Sequence, residues 1–185
     1  RNLYIRKFFQ DEDRGQNRNQ GLAQKLIDHL NASDDTLLSL ARTPVMLMLI
    51  CWMWSDPERH CLPEQRTELY YQFVAAIWAR YCDREKVEMV DGEEIEIEMG
   101  KTLKEIGQIA FEGLRLEEEI LQFDKSQMKV SPDIGLKLGL LIEEKSVSRH
   151  NLLRNIKFVS FLHKSIQEFC AAYYLVTNPD LLKVF

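Results

Sequence analysis

The sequence predicts a mainly α-helical fold with one small β-hairpin near its end. Apolar residues recur at helical spacing through most of the chain, whereas they alternate in the short stretch from Phe158 to Leu162. The 185 residues include 45% hydrophobic and 29% charged residues, ordinary values for a soluble globular protein. Because a chain of this length can hold one good core or two small ones, we expect two helical units, the second closed by the hairpin.

Helical segments with one apolar face are expected before residue 62. Asn31 closes the second segment, Ser33 caps the third, and Thr43-Pro44 begins the fourth. Val45–Trp54 is apolar almost all round but too short to span a bilayer, which predicts a buried core helix. The expected elements are Leu3–Phe9, a polar loop over Gln10–Gln20, a helix over Gln20–Leu30, one from Ser33 to before Pro44, and one from Pro44 to Trp54.

Beyond residue 62 the expected elements are an acidic stretch, further helices and a hairpin. Residues 83–98 are strongly acidic, and we expect them to form a solvated linker. Two helices followed by a hairpin are then predicted, which is the order of elements in a winged helix. The expected elements are helices at Leu103–Leu114 and Lys125–Val130, a break at Ser131-Pro132, a strand after Gly139, a turn over Ser146–Asn155 and a return strand at Ile156–Leu162.

A change of period at His163 marks the candidate functional position. The chain alternates before it, whereas Ile166 and Cys170 follow at helical spacing. Ser165 and Glu168 have the spacing of a capping box, which predicts that His163 lies two residues before the helix start. Unpaired N–H groups and the helix dipole favour an anion there, so an imidazole donor is well placed to meet a phosphate. The plainer alternative is that His163 ends the strand and hydrogen-bonds a nearby carbonyl.

Four stretches match a known set of motifs. They are Leu40-x-x-x-Pro44-x-x-Leu47, Leu62-Pro63-x-x-Arg66-Thr67-x-Leu69-Tyr70-x-x-Phe73-Val74, Ile106-Gly107-x-Ile109-Ala110-Phe111-x-Gly113-Leu114 and Phe161-x-His163-x-Ser165-x-Gln167-Glu168-Phe169-x-Ala171-Ala172. In this order they resemble motifs of the first helical domain and of the winged-helix domain of NACHT proteins, a family of signalling NTPases that includes the NOD-like receptors. The last stretch is the most specific, since strand, histidine, cap and small-residue helix all occur in the family's order.

The resemblance implies a fold and a ligand. It implies a helical domain over residues 1–62, a winged-helix domain with a small β-hairpin wing over 63–175, and the start of a further helical domain at 176–185. It also implies that ADP or ATP binds mostly to an upstream domain, while His163 donates to the ADP phosphate and Pro44 lies near the base.

The resemblance implies partners and a role as well. The expected partners are an upstream nucleotide-binding domain of the same chain, a downstream sensor domain such as a repeat array, and further copies of the protein on activation. The expected role is to hold a cytoplasmic innate-immune signalling protein autoinhibited until ADP is exchanged, with no membrane involved. Because the sequence starts with Arg1 and continues at once into apolar residues, we expect it to be a piece of a longer protein.

This stretch of chain is not expected to be an enzyme by itself. Gly100-Lys101-Thr102 resembles the end of a phosphate-binding loop, but Ile95 stands where the loop needs its first glycine. With no other Walker motif, nucleotide hydrolysis would belong to the parent protein, an ATPase-type switch.

Two other functions remain open from the sequence. Winged helices often bind DNA with a recognition helix and a basic wing. Basic residues lie near the expected recognition helix (Lys125, Lys129 and Lys137) and on the expected wing (Arg149, His150, Arg154 and Lys157). The net charge of −5 and the apolar Leu152-Leu153 at the hairpin tip argue against nucleic acid as a partner. The other alternative is a protein-interaction scaffold without nucleotide control.

The four cysteines predict reduced thiols in the cytosol. Cys51, Cys61, Cys82 and Cys170 form no C-x-x-C pair, and the sequence contains no signal peptide. His60-Cys61 has no second ligand pair nearby, so no metal site is expected.

Overall fold

The computed structural model describes residues 1–11, 20–33, 35–55, 62–63, 65–87, 92–115, 121–147 and 155–184. The chain divides into two units, Arg1–Phe73 and Val74–Phe185. The division falls inside the long helix Arg66–Glu85. The expected domain boundaries at 62 and 175 stay predictions.

The first unit is helical, as predicted. Its elements are α1 (Asn2–Asp11), α2 (Gln20–Ala32), α3 (Asp35–Leu40), α4 (Pro44–Trp54) and the first turns of α5 (Arg66–Glu85). Ile5, Leu26, Leu30 and Ile50 are fully buried among these helices, which places the apolar faces read from the sequence in one core.

Helix α4 is the core helix that the sequence predicts. Seven of its eleven residues are buried. Pro44 is its first residue, and Thr43 precedes it with extended backbone angles, φ −85° and ψ 124°. The Thr43 side chain makes no capping hydrogen bond, so proline stereochemistry rather than a hydroxyl cap begins this helix.

The ends of α1 and α2 differ from the predicted ones. Gln10 lies in α1, and α2 runs past Asn31 to Ala32. The Ser33 hydroxyl donates to the His29 carbonyl over 2.7 Å and so closes α2. Residues 12–19 of the expected polar loop lie outside the described residues, and so does Asp34, which leaves the Ser33 cap of α3 a prediction.

The second unit combines helices with a small sheet. It contains the rest of α5, α6 (Gly92–Leu114), β1 (Gln122–Asp124), α7 (Asp133–Leu138), β2 (Leu141–Val147), β3 (Asn155–Phe161) and α8 (Lys164–Thr177), with 3₁₀ turns at Lys125–Gln127 and Pro179–Val184. The described strands form an antiparallel three-stranded sheet in the order β1-β3-β2. The predicted hairpin is therefore confirmed as β2–β3, with residues 148–154 between its strands outside the described part of the chain.

The alternation that predicted β3 separates its two faces. Val159 is fully buried and Phe161 is 8% exposed, whereas Phe158 and Ser160 are half-buried. Phe123 of β1 pairs with Val159, and Glu143 of β2 pairs with the same residue from the other side. The central strand thus carries the apolar face into the core of the unit.

Helices α6 and α8 pack closely where one carries a glycine. A Cβ built on Gly107 would lie 2.5 Å from the Cys170 carbonyl oxygen and 2.8 Å from the Tyr174 Cβ. One turn further along α6, the Phe111 ring lies 5.8 Å from the Tyr174 ring. The glycine therefore allows two helix backbones to approach within contact distance.

The interpretation of residues 83–98 as a linker is wrong for most of that range. Helix α5 continues to Glu85 and ends at Lys86, whose φ of 53° is left-handed. Helix α6 already begins at Gly92. Glutamate is a good helix former, and acidic residues in the first turn of α6 are favourable beside the positive end of its dipole. The described side chains up to Ile97 are exposed, as expected.

The predicted helix Lys125–Val130 is also wrong. Only Lys125–Gln127 is helical, as a 3₁₀ turn, because the Asp124 carboxylate accepts the Ser126 N–H and hydroxyl and tightens the chain there. The helix forms instead at α7, directly after Pro132. It ends at Gly139, whose φ is 78°. Pro132 thus starts a helix rather than breaking one.

Candidate functional site

His163 lies at the junction of β3 and α8, as the change of period predicts. It is the N-cap of α8, with extended backbone angles of φ −156° and ψ 145°. The Leu162 N–H donates to the Leu140 carbonyl over 3.0 Å, and Ile166 is fully buried in the first turn. The backbone of His163 is therefore held from both sides by the fold.

The expected capping box at Ser165 is not the cap observed. Helix α8 begins at Lys164, so Ser165 lies inside the helix and His163 itself is the cap. The Ser165 N–H donates to His163 Nδ1 over 3.2 Å. Glu168 lies 3.9 Å from the Lys164 ammonium. The sequence motif marked the helix start to within two residues but assigned the capping role to the wrong side chain.

The hydrogen bonds define the tautomer of His163. A backbone N–H can only donate, so Nδ1 must be the accepting, unprotonated nitrogen. The Ser165 hydroxyl lies 2.7 Å from the same Nδ1 and therefore donates to it as well. A neutral ring then carries its proton on Nε2, and both described hydrogen bonds of the ring use Nδ1. His163 is half-buried, and its Nε2–H is the donor that the ring can offer to a ligand.

Pro44, the second predicted binding residue, is exposed at the start of α4 in the first unit. A proline ring is an apolar surface that can lie against a nucleotide base. His163 belongs to the second unit. The structure defines the surroundings of each residue within its own unit.

The basic residues of the DNA-binding alternative are partly neutralised. The Lys125 ammonium lies 2.8 Å from one Glu143 carboxylate oxygen, and the Lys157 ammonium lies 3.0 Å from the other. Lys125 also lies 3.5 Å from Asp133. The hydrogen bond to Glu143 raises the pKa of Lys125, and the hydrogen bonds from Lys125 and then Lys157 lower the pKa of Glu143.

A phosphate backbone would have to replace Glu143 at both lysines, which weakens the DNA-binding alternative. Among the other basic residues named for it, Lys129 and Lys137 are exposed. Arg149, His150 and Arg154 lie outside the described residues.

The Gly100-Lys101-Thr102 stretch lies in the middle of α6. A phosphate-binding loop needs backbone N–H groups that are turned toward the ligand, whereas the N–H groups inside a helix bond within the helix. The Lys101 ammonium pairs with Glu98 one turn earlier. These residues therefore do not have the geometry of a phosphate-binding loop.

The described cysteines lie in different environments. Cys51 and Cys170 are buried, and Cys82 is half-buried. Burial raises the pKa of the Cys170 thiol to about 12 and also raises the pKa of Cys82. No cluster of potential metal ligands occurs within the described ranges, and His60-Cys61 falls outside them. Within the same ranges, no helix has the length and apolar character that crossing a membrane requires.

Two features were missed by the sequence analysis. The first is the contact of Ser165 with His163 Nδ1, because the spacing predicted Ser165 rather than His163 as the cap. The second is a groove of about 370 Å³ beside β1, whose apolar lining includes Ile109, Phe123 and Phe158. Strand β1 was not predicted, so nothing in the sequence pointed to a groove at that place.

Neither a protein-family model nor a curated protein sequence matches this chain.

Proposed function

We propose that this chain is the regulatory helical and winged-helix part of a NACHT-type signalling NTPase. In this proposal it closes over ADP that is bound mostly by an upstream domain, and it holds the protein autoinhibited in the cytoplasm until nucleotide exchange permits self-association. Innate-immune signalling is the proposed context, and a downstream sensor domain is the proposed source of the trigger.

The observation that carries the proposal is the state of His163. The Ser165 N–H and hydroxyl both use Nδ1, so the remaining donor of a neutral ring is Nε2–H, on the residue that caps a 14-residue helix. Helix N-termini favour anions, and a donor held at that end suits a phosphate oxygen. His163 therefore suits the ADP phosphate that the resemblance to NACHT proteins implies.

The arrangement of elements in the second unit supports the winged-helix part of the proposal. The elements follow one another as α6, β1, α7 and the β2–β3 hairpin. This is the helix, helix, hairpin order of a winged helix with one additional strand. Pro44 supports the nucleotide part, because its exposed ring begins a helix whose other side is core.

His163 would hold the closed state through a charge-assisted hydrogen bond to phosphate. Such a bond contributes on the order of 1.5–3 kcal/mol. In a two-state equilibrium this corresponds to a factor of about 10–150 in favour of the closed form. Pro44 would contribute apolar contact with the base. Loss of the His163 contact on exchange for ATP would release the winged helix and expose an assembly surface.

The experiment compares ADP release from the full-length protein and three variants. His163→Ala removes both the cap and the phosphate donor, whereas His163→Asn keeps a good N-cap but removes Nε2–H. Lys164→Ala changes the exposed neighbour and is the control. We expect both His163 variants to release a fluorescent ADP analogue at least ten-fold faster than the wild type and Lys164→Ala. Equal release from all four proteins would refute the role of His163.

A further inference from the structure

We infer that Ser165 is a positioning residue for His163: its N–H and its hydroxyl together hold the imidazole in one tautomer and one orientation. The inference rests on the proposed function, since the group positioned is the proposed phosphate donor.

Both donors of Ser165 converge on one ring nitrogen. The hydroxyl oxygen lies 2.7 Å from Nδ1 and the backbone nitrogen lies 3.2 Å from it. Both distances are within hydrogen-bonding range, and the hydroxyl is the closer donor. If the proton moved to Nδ1, the backbone N–H would lose its acceptor and the hydroxyl would have to reverse its role and accept. The N–H therefore selects the tautomer with the proton on Nε2, and the hydroxyl adds a second donor to the same nitrogen.

The same contacts fix the direction of the ring. A half-turn of the imidazole would place a carbon instead of Nδ1 opposite the Ser165 N–H and hydroxyl. Ser165 and His163 are both half-buried, so donors that lose their acceptor there regain water only in part, and the flipped ring is disfavoured. Nε2–H is thus presented in one direction before any ligand arrives, which reduces the ordering required on binding.

A single substitution separates the effect of the Ser165 hydroxyl from the effect of the N–H bond by which His163 caps α8. Ser165→Ala removes the hydroxyl and leaves the backbone N–H, so His163 still caps α8 through the longer bond. Ser165→Thr retains a hydroxyl and is the conservative rescue. Lys164→Ala, at the adjacent exposed position, is the control.

The first readout is the nitrogen NMR spectrum of the His163 ring at mildly alkaline pH, where imidazoles are neutral. We expect a protonated Nε2 and an unprotonated Nδ1 in the wild type, a mixture of tautomers in Ser165→Ala, and the wild-type pattern in Ser165→Thr and Lys164→Ala. A wild-type ring protonated on Nδ1, or a Ser165→Ala ring indistinguishable from the wild type, would overturn the inference.

The second readout is ADP release from the full-length protein. We expect about five-fold faster release from Ser165→Ala, which is the effect of losing one neutral hydrogen bond, with restoration in Ser165→Thr. If His163→Ala accelerates release but Ser165→Ala does not, the positioning role fails while the proposed function stands. If His163→Ala itself leaves release unchanged, the proposed function fails, whatever the NMR spectrum shows.

Discussion

The close packing of α6 against α8 makes Gly107 a position where a single added methyl group is expected to have a large effect. In Gly107→Ala the new Cβ would lie 2.5 Å from the Cys170 carbonyl oxygen, whereas ordinary contact begins near 3.4 Å. The obstacle is backbone, which cannot rotate away as a side chain can. The helices must therefore separate by roughly 0.5–1 Å along this contact.

Two terms set the size of the effect. Overpacking of this kind costs about 1–3 kcal/mol, and the higher helix propensity of alanine offsets up to about 1 kcal/mol. We expect a net loss of about 1–2 kcal/mol, which is a factor of about 5–30 in the opening equilibrium of the two helices.

Hydrogen exchange of α6 and α8 peptides measures that equilibrium locally. The matched control is Gly92→Ala in the same helix, where an added Cβ meets nothing within 4 Å. Exchange in both helices should rise by the stated factor in Gly107→Ala and stay unchanged or fall in Gly92→Ala. Unchanged exchange in Gly107→Ala would refute the packing argument.

Two further predictions concern charge. In the folded protein the pKa of Cys170 is raised from 9.0 to about 12, so between these values the unfolded chain loses a proton that the folded chain keeps. The unfolding free energy should therefore fall with rising pH by up to about 1.4 kcal/mol per pH unit, and the difference between wild type and Cys170→Ala in urea titrations should show this slope; parallel pH profiles would contradict it. Glu143 is the carboxylate that Lys125 and Lys157 share, and a DNA phosphate would have to displace it from both lysines. We expect no salt-sensitive association of the wild type with duplex DNA, and its appearance in the wild type at low salt would revive the DNA-binding alternative.

The elements with strong local patterns could be predicted from the sequence. Helix α4 is apolar almost all round, and β3 alternates over several residues before the period changes at His163. In both cases the residues that determine the element lie within it. The pattern therefore also gave the position of the candidate site.

The elements that depend on distant partners could not be predicted. Strand β1 has three residues, too few for a period, and it exists because Gln122–Asp124 pairs with β3. The start of α6 was not predicted because its first residues are acidic, and acidic residues indicated a solvated linker. Met99 is only 3% exposed, so the helix already has a buried face within its first turns.

The tautomer of His163 required the structure for a similar reason. The sequence places Ser165 two residues after the histidine, but only the extended backbone of His163 brings Nδ1 to the Ser165 N–H and hydroxyl. A capping-box pattern contains no information about this geometry, because it assigns the cap from residue type and spacing alone.

Native mass spectrometry of the full-length protein reports bound nucleotide and assembly state in the same species, and His163 is proposed to control both. We expect a wild-type monomer that carries ADP, and His163→Ala and His163→Asn proteins that have lost ADP and formed larger assemblies. Variants that retain ADP and the monomeric mass of the wild type would contradict this expectation.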